Sequence, residues 1–257
     1  MFDRFRAPIL IAAAFLLAPA TSGAAAEIKV LNANALTIAM KELAADFIRE
    51  TGNQVSFVGV SPGLVEQRIK AGEVYDLVIT ATESAQAFEK EGKWRAGTRR
   101  PLARVGIGIA VRQGVKVDLS SVESTRKALL DAKTITYSDS SGGGLSGINA
   151  QKVLANLGLT DAVNAKAKLS KNLADGQALI AKGEIDLGLF NLSEIPRAPG
   201  VVRAGPVPAA VQVYIDYDSA VPATNAMPEP ALALLKYFQR PVSRPVWDKA
   251  GLEIAGE

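Results

Sequence analysis

The sequence predicts an α/β protein of two lobes, each a mostly parallel sheet flanked by helices, with a ligand cleft between them. Three observations lead there. Strand and helix signals alternate along the chain, the pattern that covers both faces of a parallel sheet with helices. The alternation runs twice, in two series separated by the turn-rich stretch Gly92 to Pro101. Hydrophobic residues make up 48% and charged residues 21%, so the chain can bury a sizeable core.

The first series opens with a short β run, Ile28 to Leu31. Apolar residues then fall at Leu36, Ala39, Met40, Leu43, Ala44, Phe47 and Ile48, one face of a helix that Gly52 ends. Gln54 to Val58 reads as a strand, Ser61-Pro62-Gly63 as a turn, and Leu64 to Ala71 as a helix closed by Gly72. Asp76 to Thr80 is a buried strand, and Thr82 to Glu91 a helix.

The second series starts with the strand Val105 to Arg112, the helix Val122 to Asp131 and the strand Thr134 to Tyr137. The loop Ser138 to Gly144 feeds a helix up to Leu157. A strand near Ala167, a helix from Leu173 to Lys182 and the strand Asp186 to Phe190 follow. Pro196 to Pro208 carries four prolines and reads as a crossover. Val211 to Tyr217 is a last strand, with terminal helices at Pro230 to Phe238 and Ser243 to Ala250. This divides the chain into residues 27–104 with 212–257 as one lobe and residues 105–211 as the other. A cleft between lobes is where small ligands bind.

Residues 1–26 stand apart from that pattern. Arg4 and Arg6 precede the short apolar run Ile9 to Ala18, and Ser22 to Ala26 supplies an A-x-A site. This is the layout of a cleavable secretory signal, too short to span a bilayer, and it places the protein in the periplasm with no membrane insertion after cleavage.

The chain has no cysteine and no histidine among its 257 residues. Disulfides, thiolate nucleophiles, thiolate-held zinc, the Ser-His-Asp triad and the HExxH helix are thereby excluded. A net charge of +3, evenly spread, argues against nucleic acid. Gly59-Val60-Ser61-Pro62-Gly63 matches the nucleophile elbow G-x-S-x-G, so a secreted serine hydrolase using Ser61 stands as a second alternative function, against which the chain has no histidine to take the serine proton. Ser124 to Lys127 matches S-x-x-K and reads as a solvated helix face. Gly142-Gly143-Gly144-Leu145-Ser146-Gly147 satisfies G-x-G-x-x-G without the acidic residue a dinucleotide site expects.

What survives is a physical pattern. Asn32 to Ala35, Ser61 to Gly63, Ser146 with Gly147, and Asn172 each precede or open a helix. A helix start leaves about four N–H groups without acceptors and roughly half a positive charge. Several such starts at the strand carboxyl ends would form an anion site with no titrating group and no metal.

These residues resemble a known family. Asn32 to Leu36, the Val55-Ser56-Phe57 strand leading to Ser61 and Gln67, and Asp76 to Ala81 are similar to stretches of bacterial molybdate-binding periplasmic proteins. Leu145-Ser146-Gly147 and the Gln177 to Gly188 segment are similar as well. The resemblance spans the mature chain and implies a type II periplasmic binding protein fold. It implies a receptor that closes on a tetrahedral oxyanion, molybdate or tungstate first, and delivers it to an ABC permease. The resemblance implies ligand contacts from Ser61, through its hydroxyl, and from Ser146 and Leu173, through their N–H groups; with the helix starts and the two departing positions the expected ligand-binding residues are Asn34, Ala35, Ser61, Ser146, Gly147, Leu173 and Asn191. Ala35 stands where the family usually has serine, and Asn191 where it usually has tyrosine. Another small anion, such as a carboxylate, is therefore the alternative ligand, and a sensor role the alternative to transport. The expectation is a monomer that needs no cofactor and no metal and catalyses nothing.

Overall fold

The computed structural model describes residues 25–141, 144–195 and 198–254. Most of the expected secretory signal, with Gly142 and Gly143 of the glycine-rich loop, lies outside the described residues.

The first half runs β1 (Glu27–Ala33), α1 (Thr37–Thr51), β2 (Gln54–Val60), α2 (Pro62–Lys70), β3 (Leu77–Ala81) and α3 (Thr82–Lys90). A single 3-10 turn, Asn34–Leu36, joins β1 to α1. The apolar spacing of α1 buries Ala39, Met40, Leu43, Ala44 and Phe47, and Gly52 ends it with φ 75° in the left-handed region. The second half holds α4 (Val122–Asp131), β5 (Ile135–Tyr137), α5 (Leu145–Asn156), α6 (Thr160–Asn164), α7 (Leu173–Lys182), β6 (Leu187–Asn191) and β7 (Val201–Pro206). Ser121 and Ser124 cap α4 reciprocally, so the S-x-x-K string is part of an ordinary helix start. β4 (Arg100–Arg112) leads into this half and β8 (Tyr214–Ala220) leads out; α8 (Glu229–Phe238), α9 (Arg244–Lys249) and β9 (Glu253–Ile254) complete the chain.

The strands lie in the order β2-β1-β3-β8-β4-β6-β5, with β7 and β9 also paired to β4. β4 carries the connection between halves. Its residues Arg100 to Gly106 pair with β8, and Ile107 to Val111 pair with β6. β1 pairs with β2 and β3 in parallel, and so do β5 and β6. Every pairing of β4 and β8 is antiparallel. Parallel neighbours need a crossover connection, here a helix; β4 and β8 instead run between the halves in opposite senses. The sheet is therefore mixed where the halves join and parallel at its flanks.

Buried side chains form separate clusters. The largest draws on Ile28 to Val105 and Ile215 to Leu252, with Phe47, Phe238 and Trp247 among its bulky members. Another runs from Ile107 to Val211 around Tyr137, Leu154 and Leu157. Thus α8 and α9 pack on the first half.

Some expected elements differ. Pro196 to Pro208 contains a strand, β7, which the prolines concealed; it meets β4 at a register shift beside Ile109 and ends at Pro206. Near Ala167 there are only single bridges, Ile135 to Ala167 and Ser138 to Ser170. β8 begins at Tyr214 rather than Val211, because the side chain of Gln212 takes the ladder positions. Its Oε1 accepts from Ile107 N at 2.7 Å and its Nε2 donates to Ile107 O at 2.9 Å.

Candidate functional site

A cavity of about 300 Å³ opens where elements of the two halves face each other. Its wall includes Asn34, Ser61, Ser146, Leu173 and Asn191, five of the seven residues expected from the sequence. They arrive from four helix or turn starts and one strand end.

Ser61 is the N-cap of α2, and its Oγ accepts from Leu64 N at 3.4 Å. Pro62 follows at the first helical position and brings no N–H, so this start offers the cavity fewer donors than an ordinary one. Ser146 sits in the first turn of α5, where its Oγ accepts from Asn191 N at 3.3 Å and ties the helix to β6. Both serine oxygens accept from backbone, which leaves both hydroxyl hydrogens for a ligand. Leu173 opens α7, and the Asn172 Oδ1 before it accepts from Asp175 N at 2.9 Å.

Two expected residues are not part of the cavity wall. Ala35 is buried in the larger core, because the 3-10 turn points Asn34 outward and Ala35 and Leu36 inward. Gly147 serves packing. A Cβ there would lie 2.1 Å from Ser138 O, so glycine is what lets α5 approach the Ser138 loop.

Asn191 ends β6. Its Nδ2 donates to Glu194 Oε2 at 2.9 Å, while its Oδ1 is buried without a hydrogen-bond partner. Glu194 lies in the 3-10 turn Leu192–Glu194 and is only 3% exposed, yet it lines the cavity. Its backbone oxygen accepts from the buried Gln177 Nε2 at 2.8 Å, which fixes the turn against α7.

Asp139, Lys171 and Tyr217 also line the cavity. The N–H and hydroxyl of Ser141, together with the Lys171 charge, hold the Asp139 carboxyl below its ordinary range. Burial, with the Glu194 charge adding to it, pushes the Tyr217 phenol far above its usual value, so it stays neutral. The expectation of a site without titrating groups is therefore corrected: carboxylates, an ammonium and a phenol surround this cavity. Glu194 and Tyr217 carry no local sequence signal, since a short 3-10 turn and a distant strand place them. Lys171 could have been found, because it directly precedes the Asn172 cap.

A larger cavity, about 630 Å³, lies beside α4 and contains none of the expected residues. Among the described residues no cluster of acidic side chains could hold a metal ion, and no helix is long and apolar enough to cross a membrane.

Comparison with known proteins bears on this cavity. An aconitate isomerase from Pseudomonas sp. is 28% identical over 263 residues, covering 98% of each chain. The molybdate-binding protein ModA of Azotobacter vinelandii is 28% identical over 235 residues, covering 86% of this chain and 88% of its own. The solved periplasmic molybdate-binding protein of Azotobacter vinelandii superposes with a TM-score of 0.71 at 22% identity, over 89% of this chain and 100% of that one. The fold is thus that of the two-lobed periplasmic binding proteins. The first similarity overturns the expectation that the chain catalyses nothing, since a relative matched end to end is an enzyme. The family model for bacterial extracellular solute-binding proteins matches residues 28–253, and the chain belongs to that family.

Proposed function

We propose that the protein captures a small unsaturated polycarboxylate in the cavity between its halves and isomerises it. The buried Glu194 carboxylate in the cavity wall carries this reading. A tetrahedral dianion presents acceptor oxygens on every side, and an ionised Glu194 and Asp139 would repel it at short range. An organic acid has two kinds of surface. Its carboxylates can meet Lys171, the start of α7 and the hydroxyls of Ser61 and Ser146, while its carbon skeleton faces Glu194. The end-to-end similarity to an aconitate isomerase supports the same choice. The signal-like residues 1–26 support action in the periplasm.

A second reading follows from the molybdate-binding relatives and from the two serine hydroxyls in the cavity. It makes the protein a molybdate or tungstate receptor that serves an ABC permease.

A thermal-shift screen separates the two readings. A ligand at 100 times its dissociation constant adds about 2.7 kcal/mol to stability. The first reading predicts that cis- or trans-aconitate raises the melting temperature and millimolar molybdate leaves it unchanged. The reverse result would replace the first reading with the second.

A further inference from the structure

Resting on the isomerase reading, we infer that Glu194 is the base that moves the proton, with Asn191 as the residue that positions it. Interconverting the two geometries of a conjugated C=C bond needs either a nucleophile that adds and leaves, or a base that shifts a proton along the allylic system. The chain contains no cysteine, which removes the thiol addition, and no histidine, which removes the commonest base. The groups around the cavity that can take a proton are carboxylates, an amine and a phenol.

The geometry then selects among them. Lys171 is exposed at the mouth, where it suits the ligand's carboxylates rather than its carbon skeleton. Tyr217 is buried and neutral, a donor rather than a base. Asp139 is only half-buried, on a loop where it accepts from Ser141 N at 2.9 Å, so water competes for its carboxylate. Glu194 is buried and lines the cavity, and the Asn191 side-chain amide is one of the groups that hold it there.

The step is a proton shift with no net oxidation. The Glu194 carboxylate takes a proton from the CH2 between a carboxylate and the C=C bond. The C–H electron pair becomes the new double bond, and the former π pair moves to the far vinylic carbon. That carbon takes the proton back from Glu194, so the carboxylate is regenerated. Negative charge gathered on the ligand carboxylates in between is met by Lys171 and the N–H groups opening α7.

The test is turnover of cis-aconitate by the full protein, followed by proton NMR, beside calorimetric binding of trans-aconitate. Glu194→Gln is expected to lower turnover by about 10²- to 10⁴-fold, the usual range for a lost acid-base group, while the dissociation constant changes less than about tenfold. Glu194→Asp keeps a carboxylate one methylene farther back. It guards against a folding failure of the first variant, and is expected to melt like wild type and turn over more slowly. An active wild type with Glu194→Gln within tenfold of it, or with Asp139→Asn as the variant that loses turnover, overturns the assignment alone. A wild type that leaves cis-aconitate unchanged overturns the isomerase reading and the assignment together.

Discussion

Asn191 Nδ2 and Glu194 Oε2 are 2.9 Å apart and both side chains are buried, so the end of β6 and the turn after it form one polar unit at the cavity. A carboxylate only accepts, which fixes the amide orientation and leaves Asn191 Oδ1 as a buried acceptor without a partner. Removing the donor leaves a buried charged acceptor less satisfied. Asn191→Ala is expected to cost about 1.5–3 kcal/mol in urea unfolding, the range for hydrogen bonds to charged groups. An unchanged midpoint would mean that the bond contributes nothing.

The close passage of α5 over the Ser138 loop gives a second expectation. A Cβ at Gly147 would sit 2.1 Å from Ser138 O, whereas one at Gly63 in α2 meets nothing within 4 Å. Gly147→Ala should destabilise by about 1–3 kcal/mol as an overpacked contact. Gly63→Ala should be neutral or stabilise by up to about 1 kcal/mol through helix propensity. Paired thermal melts check the contrast.

Much of the frame was legible in the residues. The bounds of α4 and α7 agree between sequence and structure, because the caps at Ser121 and Asn172 and the apolar spacing between them are local signals. β7 was hidden by prolines, which usually mark a crossover. The start of β8 was hidden by an apolar run whose first residues yield their ladder positions to the Gln212 side chain. The helix-start residues of the site could be read for the same local reason. Glu194 and Tyr217 could not, since they meet through the antiparallel return of β8, a relation between segments far apart in sequence.

The Tyr217 phenol makes a prediction at alkaline pH. Burial, then the Glu194 charge, raise it above its ordinary value of 10.0, so the folded state keeps a proton that the unfolded chain loses near that pH. The stability it contributes is complete below about pH 10 and declines as pH rises further. Tyr217→Phe should therefore flatten the alkaline limb of a stability-against-pH curve. An identical limb in wild type and variant would show that other groups cause it.

Asp218 joins α3 to β8. It is 1% exposed and accepts from Arg99 Nη1 at 2.5 Å and Thr82 Oγ1 at 2.7 Å. Truncating one partner of a buried ion pair costs about 3–5 kcal/mol, and the partial exposure of Arg99 places this pair at the low end. Asp218→Ala should lower the urea midpoint accordingly, and a loss under about 1 kcal/mol would place the pair among surface bridges.

The most direct measurement is a proton NMR time course of cis-aconitate with the purified wild-type protein. The vinyl and methylene signals of the cis acid should decay while those of the trans acid grow, at a rate proportional to protein concentration. A spectrum that stays unchanged, from a protein whose melting temperature rises with molybdate, would contradict the isomerase reading.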